Sequence, residues 1–146
     1  MIKHGINKIK KGAFADCRGL KSVSLPENLK ELGAGAFLNC EALQSMTIPN
    51  GVTEIANNLF NGCKLLNYVK MHENIQSIGE GAFIDCVTMH KVSFPKNLTV
   101  IGDRAFAGCI SLTRRAMSFA RAGRSPRLLM RRQRLNSTYP PAPERL

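Results

Sequence analysis

Phenylalanine stands at Phe14, Phe37, Phe60, Phe83 and Phe106, and cysteine at Cys17, Cys40, Cys63, Cys86 and Cys109. Every interval is 23 residues, and no cysteine falls off this grid. A fixed period of this length means that one short unit is built again and again, so the repeat decides the fold before any local propensity does. The remaining columns agree. Three residues after each Cys come Leu20, Leu43, Leu66, Met89 and Leu112, followed by Val23, Met46, Val69 and Val92, then Leu25, Ile48, Met71 and Phe94. A turn column holds Pro26, Pro49, His72 and Pro95. Two more apolar columns follow, Leu29, Val52, Ile75, Leu98 and Leu32, Ile55, Ile78, Ile101. A small residue closes the set at Gly33, Ala56, Gly79 and Gly102, and Ile6 and Ile9 occupy the last two apolar columns of an earlier half-unit. One unit reads C-x-x-L-x-x-V-x-L-P-x-x-L-x-x-I-G-x-x-A-F-x-x.

Each unit translates into local structure. Lys21-Ser22-Val23-Ser24-Leu25 alternates polar and apolar residues, the pattern of a strand with Val23 and Leu25 turned inward. Proline ends the strand because it has no N–H to give to a ladder. Leu29-x-x-Leu32 makes a second short extended or turn segment. The small residue after it permits a close bend. Phe14 and Cys17, three apart, suit one face of a short helical turn. A unit this short cannot bury its apolar residues alone. Stacked on copies of itself it can, with Phe over Phe and Leu over Leu, and parallel strands about 4.8 Å apart.

Leu20-x-x-Val23-x-Leu25-x-x-Asn28 matches the leucine-rich repeat template, with Asn74 and Asn97 repeating the polar site and Gly51 departing from it. Together with the proline column and the A-F-x-x-C segment, residues 6–113 resemble the BspA-type (treponemal) leucine-rich repeats. The resemblance implies an α/β-type solenoid: right-handed, with 23-residue coils, parallel strands on the concave face and short helical turns elsewhere. It also implies a surface or secreted protein that binds other proteins, adhesins for host matrix proteins among them.

Charge divides the chain. Residues 1–113 carry ten Lys, two Arg and nine acids, a net +3, whereas residues 114–146 carry nine Arg, no Lys and one Glu, a net +8. The register fails in the same place. Arg115 falls in the Val column, Arg121 in the column of Leu29 and Arg124 in that of Leu32, and only Met117 still fits. Buried arginine at those places is too costly for a core. The expected organisation is a solenoid over 1–113, with four complete coils and partial ends, then an Arg-rich tail over 114–146 that is disordered or non-native. Such a chain reads as a fragment of a longer array, whose uncapped ends favour self-association.

No catalytic, cofactor-binding or metal-ligating constellation emerges. The cysteines come singly rather than as the close pairs of zinc sites, and stacking gives them parallel side-chain vectors unsuited to disulfides. They are expected to be reduced, buried, small hydrophobes that hydrogen-bond weakly within their own turn. His4, His72 and His90 lack acids or cysteines at ligand spacing and are expected at the solvated surface. The acids form no recurrent pair, and no phosphate loop, nucleophile elbow or zinc-protease motif is present. Hence no enzyme and no cofactor is expected.

Two surfaces are left as candidates. Strand alternation turns outward one column of Ser22, Ser45, Tyr68 and Lys91 and another of Ser24, Thr47, Lys70 and Ser93. These eight residues have no core role and are free for recognition of a protein partner, with Tyr68 the side chain of a type common at binding hot spots. The alternative is nucleic-acid or anionic-surface binding by the tail, where Arg127–Leu135 has the pattern of a basic amphipathic helix. Between the two, the protein-binding face is favoured and nucleic acid is not. No apolar run is long enough for a membrane span. The N-terminus lacks the apolar stretch of a signal peptide, so a cell-surface or secreted location belongs to the presumed longer parent.

Overall fold

The computed structural model describes residues 5–112 and the backbone of one further strand at 117–119. His4 and most of the Arg-rich tail, including Arg127–Leu135, lie outside the described residues. The Leu-x-x-Ile segments form short strands that stack in parallel: β1 (Lys8–Ile9) on β2 (Glu31–Leu32), and β4 (Glu54–Ile55), β6 (Ser77–Ile78) and β8 (Val100–Ile101) in one sheet. The Val-x-Leu segments form β3 (Ser45–Thr47), β5 (Tyr68–Lys70) and β7 (Val92–Phe94), with β3 paired to β5. Ser45 lies opposite Tyr68 and Ile55 opposite Ile78, so the backbone register repeats the 23-residue period.

The side chains obey the same translation. Phe14, Phe37, Phe60, Phe83 and Phe106 lie in a single file, with consecutive ring centroids 5.4, 5.9, 5.4 and 5.1 Å apart and stacked planes. Phe94 closes edge-on against Phe106 at 5.6 Å. Leu29, Leu43, Ile55, Leu66, Ile75 and Ile78 are fully buried beside them in one continuous core. At the N-terminal end Phe14, Leu20, Val23 and Leu25 are only partly covered.

The expected helical turn around A-F-x-x-C does not form, and the hydrogen bonds explain why. An α-helix needs each successive N–H to donate within its own segment. Here they alternate. Ala36, Leu38 and Cys40 donate three residues back, at 3.0–3.1 Å, whereas Gly35, Phe37 and Asn39 donate to Asn57, Leu59 and Asn61 of the next coil, at 2.8–3.1 Å. Two residues per turn also adopt positive φ. One column holds Gly12, Gly35, Asn58, Gly81 and Arg104, and the other Asp16, Asn39, Gly62, Asp85 and Gly108. Left-handed residues at such spacing break a helix and are tolerated best by Gly, Asn and Asp. The result is a chain of tight turns bonded sideways to its neighbour.

Two further departures occur at the ends. In the first coil Ser22–Leu25 forms no ladder with β3; Gln44 N–H bonds Lys21 O at 3.2 Å, and no backbone hydrogen bond joins Ser22–Leu25 to β3 beyond that point. At the other end β9 (Met117–Phe119) pairs in parallel with β7, Val92 opposite Met117 and Phe94 opposite Phe119. The spacing there is 25 residues, two more than the period. Met117 therefore stands in the Val column, not in the Leu column where the 23-residue count puts it.

Candidate functional site

The cysteine column is structural. Cys40, Cys63, Cys86 and Cys109 are buried, and each Sγ donates to the carbonyl of the preceding coil's phenylalanine, Phe14, Phe37, Phe60 and Phe83, at 3.0–3.2 Å. The bond thus crosses between coils and does not stay within the turn as the sequence suggests. Burial pushes the Cys40 thiol up to about 11 and Cys63 to about 12, and raises Cys86 as well, against an ordinary value of 9.0. Such thiols stay protonated, poor nucleophiles and poor metal ligands. All five cysteines are free, and Cys17 alone is exposed. Among the described residues no group of three or more His, Cys, Asp or Glu is placed to hold a metal ion.

The outward columns are where alternation places them. Met46, Val69 and Val92 enter the core, and Ser22, Ser24, Ser45, Thr47, Tyr68, Lys70, Lys91 and Ser93 are all exposed. The face is not uniform. An open hollow of about 760 Å³ lies against Ser22–Leu25, β3 and the end of β5. Ser22, Ser24, Ser45, Thr47 and Lys70 line it, over a floor that includes half-buried Val23 and Leu25. Tyr68, Lys91 and Ser93 lie outside the hollow. Sequence reasoning missed Glu27, Asn50 and His72, which complete its rim.

His72 is the clearest of these. It is half-buried, not a solvated surface residue. Its Nδ1 accepts the Asn74 N–H at 3.2 Å, which leaves Nε2 as the donor to Val52 O at 2.8 Å. The imidazole ties its own turn to the coil before it. The legible signal was its place in the proline column, where a side chain able to bond replaces one that cannot. His90 is exposed, with Nδ1 3.4 Å from Thr88 O.

Charge on the flank of the stack is organised by the same period. Arg18 and Lys64 both pair with Glu41 between them, Lys64 at 3.5 Å, and Lys8 pairs with Glu31 at 3.1 Å. Asn50 also borders a second, uncharged hollow of about 510 Å³, lined further by Thr53, Asn74, Gln76, Asn97 and Thr99.

Residues 1–113 match the family model described as the BspA type leucine rich repeat region, in 6 copies. A leucine-rich repeat protein from Bacteroides ovatus is 35% identical with a TM-score of 0.73, over 77% of this chain and 29% of its own. A leucine rich cell surface protein from Faecalibacterium prausnitzii is 30% identical with a TM-score of 0.72, over 78% of this chain and 29% of its own. The Treponema pallidum leucine rich repeat protein shares the fold at 24% identity and a TM-score of 0.54, over 76% of this chain and 42% of its own. The chain thus spans under a third of the length of the first two structures. Comparison with curated proteins gives no match.

Proposed function

Because the chain belongs to the BspA-type leucine-rich repeat family, we propose that it is a non-enzymatic protein-binding module, part of a surface or secreted adhesin-like protein. The observation that carries this reading is the outward face of β3, β5 and the segment before β3. Its side chains are exposed, polar and mutually positioned, while their alternate neighbours form the core. Where the parallel ladder between β3 and β5 fixes the scaffold, Ser45, Thr47, Tyr68 and Lys70 are held in place before a partner arrives, which lowers the entropic cost of binding. One matched structure bears on the location, being described as a leucine rich cell surface protein.

The partner class that suits this face is a folded protein or an extended segment of one, on a host cell or its matrix. The hollow offers hydroxyls from Ser22, Ser24, Ser45 and Thr47, an amide from Asn50, and charges from Glu27 and Lys70. Tyr68 stands beside it, 40% exposed, as an amphipathic anchor. The test is binding of the full chain to immobilised matrix proteins, compared with a Ser45→Glu/Thr47→Glu/Lys70→Glu variant and with a chain ending at residue 113. Loss with the triple variant and retention on truncation support the reading. Retention with the triple variant rejects it. Loss only on truncation, with affinity falling steeply as salt is added, assigns binding to the Arg-rich tail instead.

A further inference from the structure

The sequence contains two Asn-Gly dipeptides, Asn50-Gly51 and Asn61-Gly62, alike in chemistry but different in environment. We propose that Asn50, on the rim of the hollow, is a site of spontaneous, fold-selected deamidation, and that Asn61 is protected. In this reaction the backbone nitrogen of the following residue, having lost its proton, attacks the asparagine Cγ. A C–N bond forms, the side-chain nitrogen leaves as ammonia, and a five-membered imide results. Water then adds to one imide carbonyl and opens the ring to aspartate or to isoaspartate. Nothing is oxidised or reduced, and water is the one co-reactant. A glycine in the second position speeds the step because it has no side chain to hinder approach and its backbone rotates freely.

At Asn61-Gly62 the fold blocks both partners. The Gly62 N–H is buried and donates to Ile84 O at 2.8 Å, so its proton is held. The Asn61 carboxamide is tethered to Asn58 Oδ1 at 3.1 Å. Gly62 is further fixed at φ 80°, with the Asn39 side chain against its face. At Asn50-Gly51 none of these restraints exists. Asn50 is exposed, and among the described residues no hydrogen bond holds its carboxamide or the Gly51 N–H. The turn is closed only by Val52 N–H on Pro49 O, at 3.0 Å.

The fold also explains why this pair exists. The column of Gly51 holds Asn28, Asn74 and Asn97 in the other coils. A Cβ at Gly51 would stand 2.6 Å from Leu29 O, a separation that backbone cannot yield. Glycine is therefore required by packing at this coil, and it follows an exposed asparagine. The product is a carboxylate on the rim that Lys70 and His72 share, so a neutral site becomes anionic. In the isoaspartyl form the main chain also gains one methylene within the Pro49–Val52 turn. This chemistry stands apart from the identity of any partner.

The experiment is incubation of the full chain at mildly alkaline pH, with peptide mapping by mass spectrometry over time. In the folded protein Asn50 converts at least about tenfold faster than Asn61, a ratio that corresponds to ~1.4 kcal/mol of barrier. In denaturant the two rates converge. Asn50→Gln removes the acidic charge variant seen on native isoelectric focusing. Equal rates in the folded chain, faster loss of Asn61, or selectivity that survives denaturant each overturn the proposal, the last because local sequence would then be the cause.

Discussion

The Phe37 carbonyl accepts two hydrogen bonds, from Cys40 N–H at 3.1 Å in its own turn and from Cys63 Sγ at 3.1 Å in the next. A cysteine is thus demanded at this position for its size and its weak donor, and its nucleophilicity is suppressed by burial. Because folding raises the Cys40 and Cys63 thiols from 9.0 to about 11 and about 12, the native chain holds protons that the unfolded chain releases. Stability is then fully present below pH ~9 and is lost as pH rises toward these folded values. Urea midpoints measured across that window should fall with pH, and less so in a Cys63→Ser variant. A thiol reagent should modify exposed Cys17 at once and the buried four only on unfolding. Arg104 makes a second case at this scale. It sits at φ 57° in a column otherwise filled by glycine and asparagine. Relief of its left-handed strain, less the extra chain entropy of glycine, should make Arg104→Gly more stable by about 0.5–1 kcal/mol. Gly81→Ala in the same column should be destabilising, read from the same denaturation curves.

At the scale of the element, the phenylalanine file ties one coil to the next. Phe60 is fully enclosed between Phe37 and Phe83, whereas Phe14 at the first coil is half-buried with one ring neighbour. Phe60→Ala should cost about 3–5 kcal/mol of unfolding free energy, and Phe14→Ala markedly less, by chemical denaturation. These columns were open to sequence reading because burial repeats with the period, and so were the outward-facing residues, since alternation fixes both faces at once. The turn between Phe and Cys was not. Spacing alone fits a helix there, and the competing acceptor lies on another coil, 22 residues along the chain in the case of Gly35 and Asn57. The Gly, Asn and Asp columns at positive φ were the available signal. The hollow was also hidden, because Ser22–Leu25 beside it forms no strand, whereas periodicity predicts every coil alike. Met117 was misplaced for a related reason: counting assumes a constant period, while the ladder to β7 departs from it by two residues.

For the whole molecule, the stack is a one-dimensional array in which each coil contacts its neighbours alone. Stability should therefore be graded along the axis. Hydrogen exchange should find the amides of the central coils, such as Phe60 and Val69, best protected. Coil 1, with no ladder at Ser22–Leu25 and a half-open core, should exchange first. Uniform protection across all coils would show instead that the chain opens only as a single unit.

The sideways bonds of the turn have one more consequence. Each winding both gives and receives the same set of links, so a cut at any residue can be rejoined at its equivalent one winding later. Excising residues 40–62, one full period of 23, leaves no junction of a new chemical kind, whereas removing a single residue from the same stretch misaligns the links between the altered winding and its neighbours. Slippage between copies in the encoding DNA would then alter the rod in whole steps of length, and copy number is the variable that heredity can adjust at least risk.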